Sequence, residues 1–311
     1  MFDALSKSFF HTLAGSTTIK RTVSRYGMRR PSSFARRFIA GESLDEAIAA
    51  VREIERAGLM HTLDLLGESV TSIEEAAAAT QSYVEVVEAV ERAGIERNIS
   101  LKLTQLGLDI DRATCVDNLR RILDAARNGE FFVRIDMENS PYTDVTLDIW
   151  ETVWALGYRH VGVALQSYLH RSEDDMRRVN RLGGRVRLIK GAYKEPKDVA
   201  YQSKADVDAC FVRMMEGLLT EGTYPAIATH DERMIDQTKA FAKERAIDPS
   251  RYEFQLLYGI RRDLQASLLA EGYNVRVYVP FGREWFPYFM RRLGERPANV
   301  GFVLRGILSE R

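Results

Sequence analysis

From Met60 onward, a short run of strand-forming residues gives way eight times to a polar or glycine turn and then to a segment of helix length. This alternation restricts the fold more than any other feature of the chain. The runs are "MHTLDLLGE" from Met60, "ISLKLTQLG" from Ile99, "FFVRIDMEN" from Phe131 and "HVGVALQSY" from His160, then "RVRLIKGAY" from Arg185, "YPAIATHD" from Tyr224, "YEFQLLYG" from Tyr252 and "NVRVYVPFG" from Asn274. Eight such units in roughly 250 residues are what an α/β fold of the (β/α)8 TIM-barrel type needs, whereas a doubly wound sheet usually has fewer strands. Residues 60–311 are therefore expected to form the barrel and residues 1–59 an N-terminal helical arm. Within the arm, "GESLDEAIAAVREIERAG" predicts a helix with Ser43 as N-cap, Glu46 at the capping-box position and Gly58 as the stop. Nothing suggests an internal repeat beyond the alternation, a low-complexity tract or an interdomain linker.

Charge balance narrows the partners. Lys plus Arg and Asp plus Glu each number 44, so no global field favours nucleic acid or anionic lipid, and any basic site has to be local. Cys115 and Cys210 lie in helix-like sequence without the spacing of a metal site or a disulfide framework, which fits a reducing cytoplasm. The basic N-terminus lacks an uninterrupted apolar core with a small-residue cleavage site. No stretch is apolar for the roughly 20 residues that a membrane span requires. His11, His61, His160, His170 and His230 show no metal-ligand spacing. No G-x-S-x-G elbow, P-loop or strand-linked G-x-G-x-x-G is found, and Gly183-Gly184 reads as a helix stop before the fifth strand.

Barrel enzymes build their sites at the C-terminal ends of the strands, and here those ends are polar. Strand one delivers Glu68, strand two Lys102, strand three Asp136 and Glu138, and strand four Gln166. Strand five brings Arg187, Lys190 and Tyr193, strand six Thr229 and His230, strand seven Gln255, and strand eight Tyr278. Each one alone is more simply a satisfied buried group or a rim residue. Together they are not, because burying Lys102, Asp136 and Arg187 among apolar strands is costly unless they pair with one another or with a ligand. Either Lys102 or Lys190, if desolvated, could instead serve as a Schiff-base nucleophile.

A helix starting near Trp285, with Pro287 in its first turn, follows strand eight. At roughly 100° per residue, Tyr288, Arg291, Arg292 and Glu295 share one face, and Phe286, Phe289, Met290 and Leu293 the other. The plain reading is a solvated face with an Arg291/Glu295 pair worth a few tenths of a kcal/mol.

In order along the chain, "RLIKGAY", "ATHD", "YEFQ" followed by Gly259, and Y-x-P-x-G followed by Y-x-x-R-R-x-x-E resemble the flavin-dependent proline dehydrogenases, in particular the small monofunctional bacterial form. The match runs from about Met60 to Asn299. The resemblance implies a distorted barrel that binds FAD noncovalently without a Rossmann fold, and oxidation of L-proline to Δ1-pyrroline-5-carboxylate. Arg291, Arg292 and Lys102 take the positions that grip the substrate carboxylate, for which adjacent guanidiniums are well suited. Asp136 resembles the carboxylate that balances this cluster, and Tyr278 and Tyr288 would pack against the substrate ring.

On the cofactor side, Arg187 resembles the arginine that hydrogen-bonds the flavin near N5. Met137, Gln166, Lys190, Gly191, Ala192, Thr229 and His230 match positions lining the flavin or its phosphates, supported by Tyr193 and Gln255. Glu68 resembles a glutamate that pairs with Arg291 to gate the substrate site. The family's electron acceptor implies membrane quinone as a partner and peripheral contact with the inner face of the membrane. Because the chain stops soon after "NVGFVLRGILSER", a separate polypeptide is expected to act as pyrroline-5-carboxylate dehydrogenase. A Schiff-base lyase or aldolase, and a non-catalytic anion-binding barrel, are the competing readings.

Overall fold

The computed structural model describes residues 33–128 and 130–295. The eight strand-forming runs become β1 (Met60–Leu65), β2 (Asn98–Leu101), β3 (Phe132–Ile135), β4 (Val161–Gln166), β5 (Val186–Ile189), β6 (Ala226–Ala228), β7 (Glu253–Leu257) and β8 (Asn274–Phe281). All neighbours pair in parallel in sequence order. β8 closes on β1 from Met60↔Arg276 to Leu65↔Phe281, so the sheet is a complete barrel without an open edge.

The helices that follow the successive strands are α2 (Ile73–Ala93), α3 (Arg112–Asn128), α4 (Thr143–Ala155), α5 (Ser172–Arg181), α6 (Lys204–Glu221), α7 (Glu232–Glu244), α8 (Arg262–Ala270) and α9 (Trp285–Glu295). Preceding β1 is α1 (Leu44–Arg56), which has the expected capping box: Glu46 N donates to Ser43 Oγ, and the Glu46 carboxylate accepts from Ser43 N. α5 stops before Gly183, as the sequence implies.

Side chains alternate between the two faces of each strand. Outward residues such as Leu63, Ile99, Val133, Val163, Leu188 and Phe254 join Val86, Leu119, Trp150 and Phe211 of the helices in one continuous apolar core. Inward residues include Thr62, Ser100, Arg134, Arg187, Glu253, Gln255 and Arg276, all buried. An ordinary barrel of this type fills its interior with layers of branched apolar side chains. This one fills it with ion pairs and hydrogen bonds.

Residues 33–59 of the arm pack on the barrel's C-terminal side and, through α1, over the outer face of β1 and β8. Ala35, Phe38 and Ile39 form an apolar cluster with Trp285, Phe286, Phe289 and Met290 of α9. Trp285 Nε1 donates to Glu42 Oε1 at 2.8 Å, and Ala40 N donates to Pro280 O at 2.9 Å. Gly259 is necessary here: at φ 69°, a Cβ on it would lie 1.6 Å from the Arg37 carbonyl oxygen. The first 32 residues of the arm lie outside the described residues.

Candidate active site

A cavity of about 610 Å³ opens at the C-terminal ends of the strands. The site residues named from the sequence line it, except Glu138, whose carboxylate accepts from Thr104, and Glu68, which lines an adjoining cavity of about 370 Å³ that shares Lys102, Tyr288 and Arg291 with the first. Several residues expected within strands sit just beyond them. Lys102, Asp136, Glu138, Lys190, Thr229 and His230 follow the last ladder residue, and Glu68 lies in the loop after β1. There the chain begins to leave the sheet, so their side chains reach over the barrel mouth.

Asp136 is the hub. Arg187 Nη1 donates to its Oδ1, the Tyr278 hydroxyl donates to Oδ2 at 2.7 Å, and Lys102 Nζ lies 3.6 Å from Oδ2. Lys102 also donates to Asp64 Oδ1 at 3.3 Å. Asp64 is the principal site residue missed from sequence. Its alternate position in "HTLDL" points it into the barrel with Thr62, a periodicity that was there to be used. Burial alone would push the Lys102 ammonium down, but the Asp64 and Asp136 carboxylates outweigh it and hold the group charged above its ordinary value. Burial raises the Asp64 carboxyl, with Lys102 opposing the rise. Burial, reinforced by Asp136 and Asp64, pushes the Tyr278 phenol well up.

All three guanidinium nitrogens of Arg187 are anchored. Besides the bond to Asp136, Nε donates to Gln255 Oε1 at 2.6 Å and Nη2 to Ser100 Oγ at 2.8 Å. The Tyr278 ring lies against the guanidinium, 5.1 Å from centroid to Cζ. Ser100 was also absent from the sequence reading, because a buried serine on a strand carries no signal of its own.

Lys190 is held by two acids that the sequence did not pair with it: Nζ donates to Asp208 Oδ1 at 2.5 Å and to Asp231 Oδ2 at 2.7 Å. Burial alone would raise Asp231, yet hydrogen bonds from Lys190 and Lys204 bring it down to about 2. An ammonium has three N–H donors, so Lys190 retains one for a ligand. Lys102 is held charged by its carboxylates, and Lys190 Nζ is tied to Asp208 and Asp231, so neither is poised as a Schiff-base nucleophile.

Gln166 Nε2 donates to Met137 O at 3.4 Å, while its buried Oε1 has no hydrogen-bond partner. An orphaned acceptor lining a cavity fits a ligand that brings an N–H. His230 Nε2 accepts from Leu257 N at 3.0 Å, which fixes the ring at the barrel mouth. Burial raises the Tyr193 phenol to about 12, so it stays neutral. Gly191 has an internal reason beside ligand access: at φ 115°, a Cβ would lie 2.4 Å from the Tyr168 ring.

On α9, Arg291 Nη1 donates to Glu68 Oε1 at 2.8 Å, so the pair expected from the resemblance is present and the solvated Arg291/Glu295 reading does not describe Arg291. The Leu293 and Glu295 side chains lie outside the described residues. Tyr288 is buried with the apolar cluster of α9 while still lining the cavity, and the Arg292 guanidinium lies 5.2 Å above its ring. Phe286, Phe289 and Met290 are buried as the helical spacing predicts. The arm therefore holds the apolar side of the helix whose other side presents both arginines.

Among the described residues, no His, Cys, Asp and Glu group is arranged to hold a metal, and no helix is long and apolar enough to cross a membrane. Cys115 and Cys210 are buried and free. The family model described as proline dehydrogenase matches residues 47–305. "Proline dehydrogenase" of Deinococcus radiodurans is 43% identical, covering 99% of this chain and 100% of its own. "Proline dehydrogenase 2" of Bacillus subtilis is 40% identical over 98% of this chain and 100% of its own. Among solved structures, proline utilization A from Bdellovibrio bacteriovorus, inactivated by N-propargylglycine, superposes with a TM-score of 0.79 at 26% identity, covering 87% of this chain and 33% of that longer one.

Proposed function

The chain belongs to the proline dehydrogenase family and oxidises proline, and on that premise we propose how its residues divide the work. The family implies a flavin cofactor; we assign it as FAD, held noncovalently along the cavity by Gln166, Lys190, Gly191, Ala192, Thr229 and His230, with Met137, Tyr193 and Gln255 beside them and Arg187 at its reactive side. Two features support the fit: the unpartnered Gln166 Oε1 and the free third N–H of Lys190. When bound, the flavin would supply the hydride acceptor for the reaction.

The substrate is L-proline. Its carboxylate is held by Lys102, Arg291 and Arg292, whose charge-assisted bonds fix the ring in one orientation. Tyr278 and Tyr288 bound the ring, and Asp136 keeps Lys102 and Arg187 in place without drawing either away from the cavity. The substrate nitrogen must be neutral when hydride leaves the adjacent carbon, and the product is the protonated imine of Δ1-pyrroline-5-carboxylate. The Glu68–Arg291 pair acts as a gate beside the smaller cavity. Electrons pass on to a membrane quinone at the inner, cytoplasmic face, and a separate dehydrogenase consumes the product.

The observation that carries this reading is the placement of Lys102, Arg291 and Arg292 on one cavity with Arg187 and its Asp136 counter-charge. Purified protein should be yellow and should reduce a quinone analogue with L-proline. Arg291→Ala and Arg292→Ala should each cost about 2–3 kcal/mol, tens- to a hundredfold in kcat/KM for proline, at normal flavin content. Glu68→Ala should couple to Arg291→Ala and be closer to additive with Arg292→Ala. Normal proline oxidation by both arginine variants would refute the substrate site.

A further inference from the structure

A polar chain continues from the active site down the inside of the barrel to its opposite end. Arg187 Nε donates to Gln255 Oε1 at 2.6 Å, and Gln255 Nε2 donates to Glu253 Oε1 at 2.5 Å. The Glu253 carboxylate accepts from Arg276 Nε at 2.9 and 3.0 Å. Arg276 Nη1 in turn donates to His61 O and to Glu96 Oε1, both at 2.6 Å. Arg187, Glu253, Gln255 and Arg276 are each no more than 5% exposed.

The direction of these bonds matters. A glutamine amide has one end that accepts and one that donates, and rotation by half a turn exchanges them. Arg187 needs the accepting end, because a guanidinium has only donors. With the amide reversed, its NH2 would face the Nε–H of Arg187, donor against donor. Nothing at Gln255 itself prevents the reversal; what lies beneath it does. Glu253, kept ionised by Arg276, is acceptor-only and must be met by the NH2. We propose that Glu253 and Arg276 are positioning residues for the redox site, which fix the orientation of the Gln255 amide and through it the aim of the Arg187 guanidinium.

The pair is not needed merely to fill the barrel. Well-packed apolar residues commonly replace a buried ion pair without loss of stability, whereas removing one partner leaves a costly unpaired charge. That asymmetry separates positioning from a structural role. The inference rests on the assignment of Arg187 to the flavin, so one readout must be independent of flavin.

In the full-length protein, Glu253→Leu/Arg276→Leu removes both charges together. It should melt close to wild type, bind flavin, and show kcat for proline reduced about tenfold with KM changed by less than about twofold. Its bound flavin should have a more negative reduction potential, because a displaced cation no longer favours the reduced form. Gln255→Leu should produce a similar fall, and adding it to the leucine pair should cost little more. Glu253→Gln keeps an oxygen acceptor and should lose only about threefold in kcat. Independently of flavin and proline, the Arg187 Nε–H, followed by NMR in protein with nitrogen-labelled arginine, should exchange with solvent faster in Glu253→Gln and in the leucine pair.

Wild-type kcat, potential and Nε–H protection in the leucine pair would overturn the proposal, as would losses that multiply when Gln255→Leu is added. If the leucine pair does not fold, Glu253→Gln decides: unchanged kcat and unchanged Nε–H exchange overturn it. A wild-type protein that neither binds flavin nor oxidises proline would defeat the functional assignment instead, while the exchange measurement would still judge the link from Glu253 to Arg187.

Discussion

Arg187 and Leu188 are neighbours on β5, and both are almost wholly buried. Leu188 faces the helices and belongs to the apolar core, while Arg187 faces the barrel axis and reaches Asp136, Ser100 and Gln255. The same division recurs on β7, where Phe254 points outward and Glu253 and Gln255 point inward. One face of the sheet thus holds the fold together and the other holds the site, with little sharing of residues. Burial alone does not decide what happens to a charge in such a structure. Lys102, on the inner side, stays protonated because two carboxylates face it. His61, equally buried at the start of β1, is driven down to about 3, first by burial and then by Arg276, even though Glu55 Oε1 lies 3.4 Å from its Nδ1.

The sharpest way to break this division is an outer-face deletion. Phe254→Ala should destabilise the protein by about 3–5 kcal/mol, measured by denaturant unfolding, while KM for proline in the folded fraction changes by less than about twofold. A large kinetic effect with intact stability would mean that the two faces are not separate.

On the inner face the effect should be reversed. Lys102→Met should lower kcat/KM for proline by about 2–3 kcal/mol, or roughly thirty- to 150-fold, with a much smaller change in melting temperature. Stability should largely survive because Asp64, whose carboxyl burial already raises, can take up a proton when its partner is lost. A variant that is strongly destabilised yet retains proline affinity in its folded fraction would invert the assignment.

The smallest effect concerns pH. His61 has its pKa depressed in the fold, so below its ordinary value of 6.5 the unfolded chain binds a proton that the folded chain refuses. The stability it contributes is complete above that pH and is lost as pH falls toward about 3, at up to about 1.4 kcal/mol per pH unit. His61→Leu should therefore reduce the loss of melting temperature between neutral pH and pH values near 5. Parallel curves for the two proteins would show that the histidine is not held neutral.

Much of the site was legible because barrel architecture converts order along the chain into position around a mouth. Lys102, Asp136, Arg187, Lys190 and Tyr278 could be placed by strand number alone, and the arginine pair by helical spacing. Their partners could not. Asp64, Ser100, Asp208 and Asp231 are separated from the groups they contact by between 18 and 87 residues, and no local pattern marks such pairs. Gly191 and Gly259 illustrate the same limit. Both stand in recognisable motifs, yet the Tyr168 ring and the Arg37 carbonyl that exclude a side chain there come from elsewhere in the chain.

Strand and helix periodicity, caps and motif order are local properties, so the sequence by itself determined the eight-unit barrel, the capping box at Ser43 and Glu46, the family, and which residue types crowd the strand ends. Only the tertiary structure decided which charges neutralise which, why Lys102 is charged and His61 is not, and that a hydrogen-bonded line from Arg187 reaches Arg276. Electrostatic and hydrogen-bond energies depend on distance and dielectric surroundings across the closed barrel, and separation along the chain carries neither.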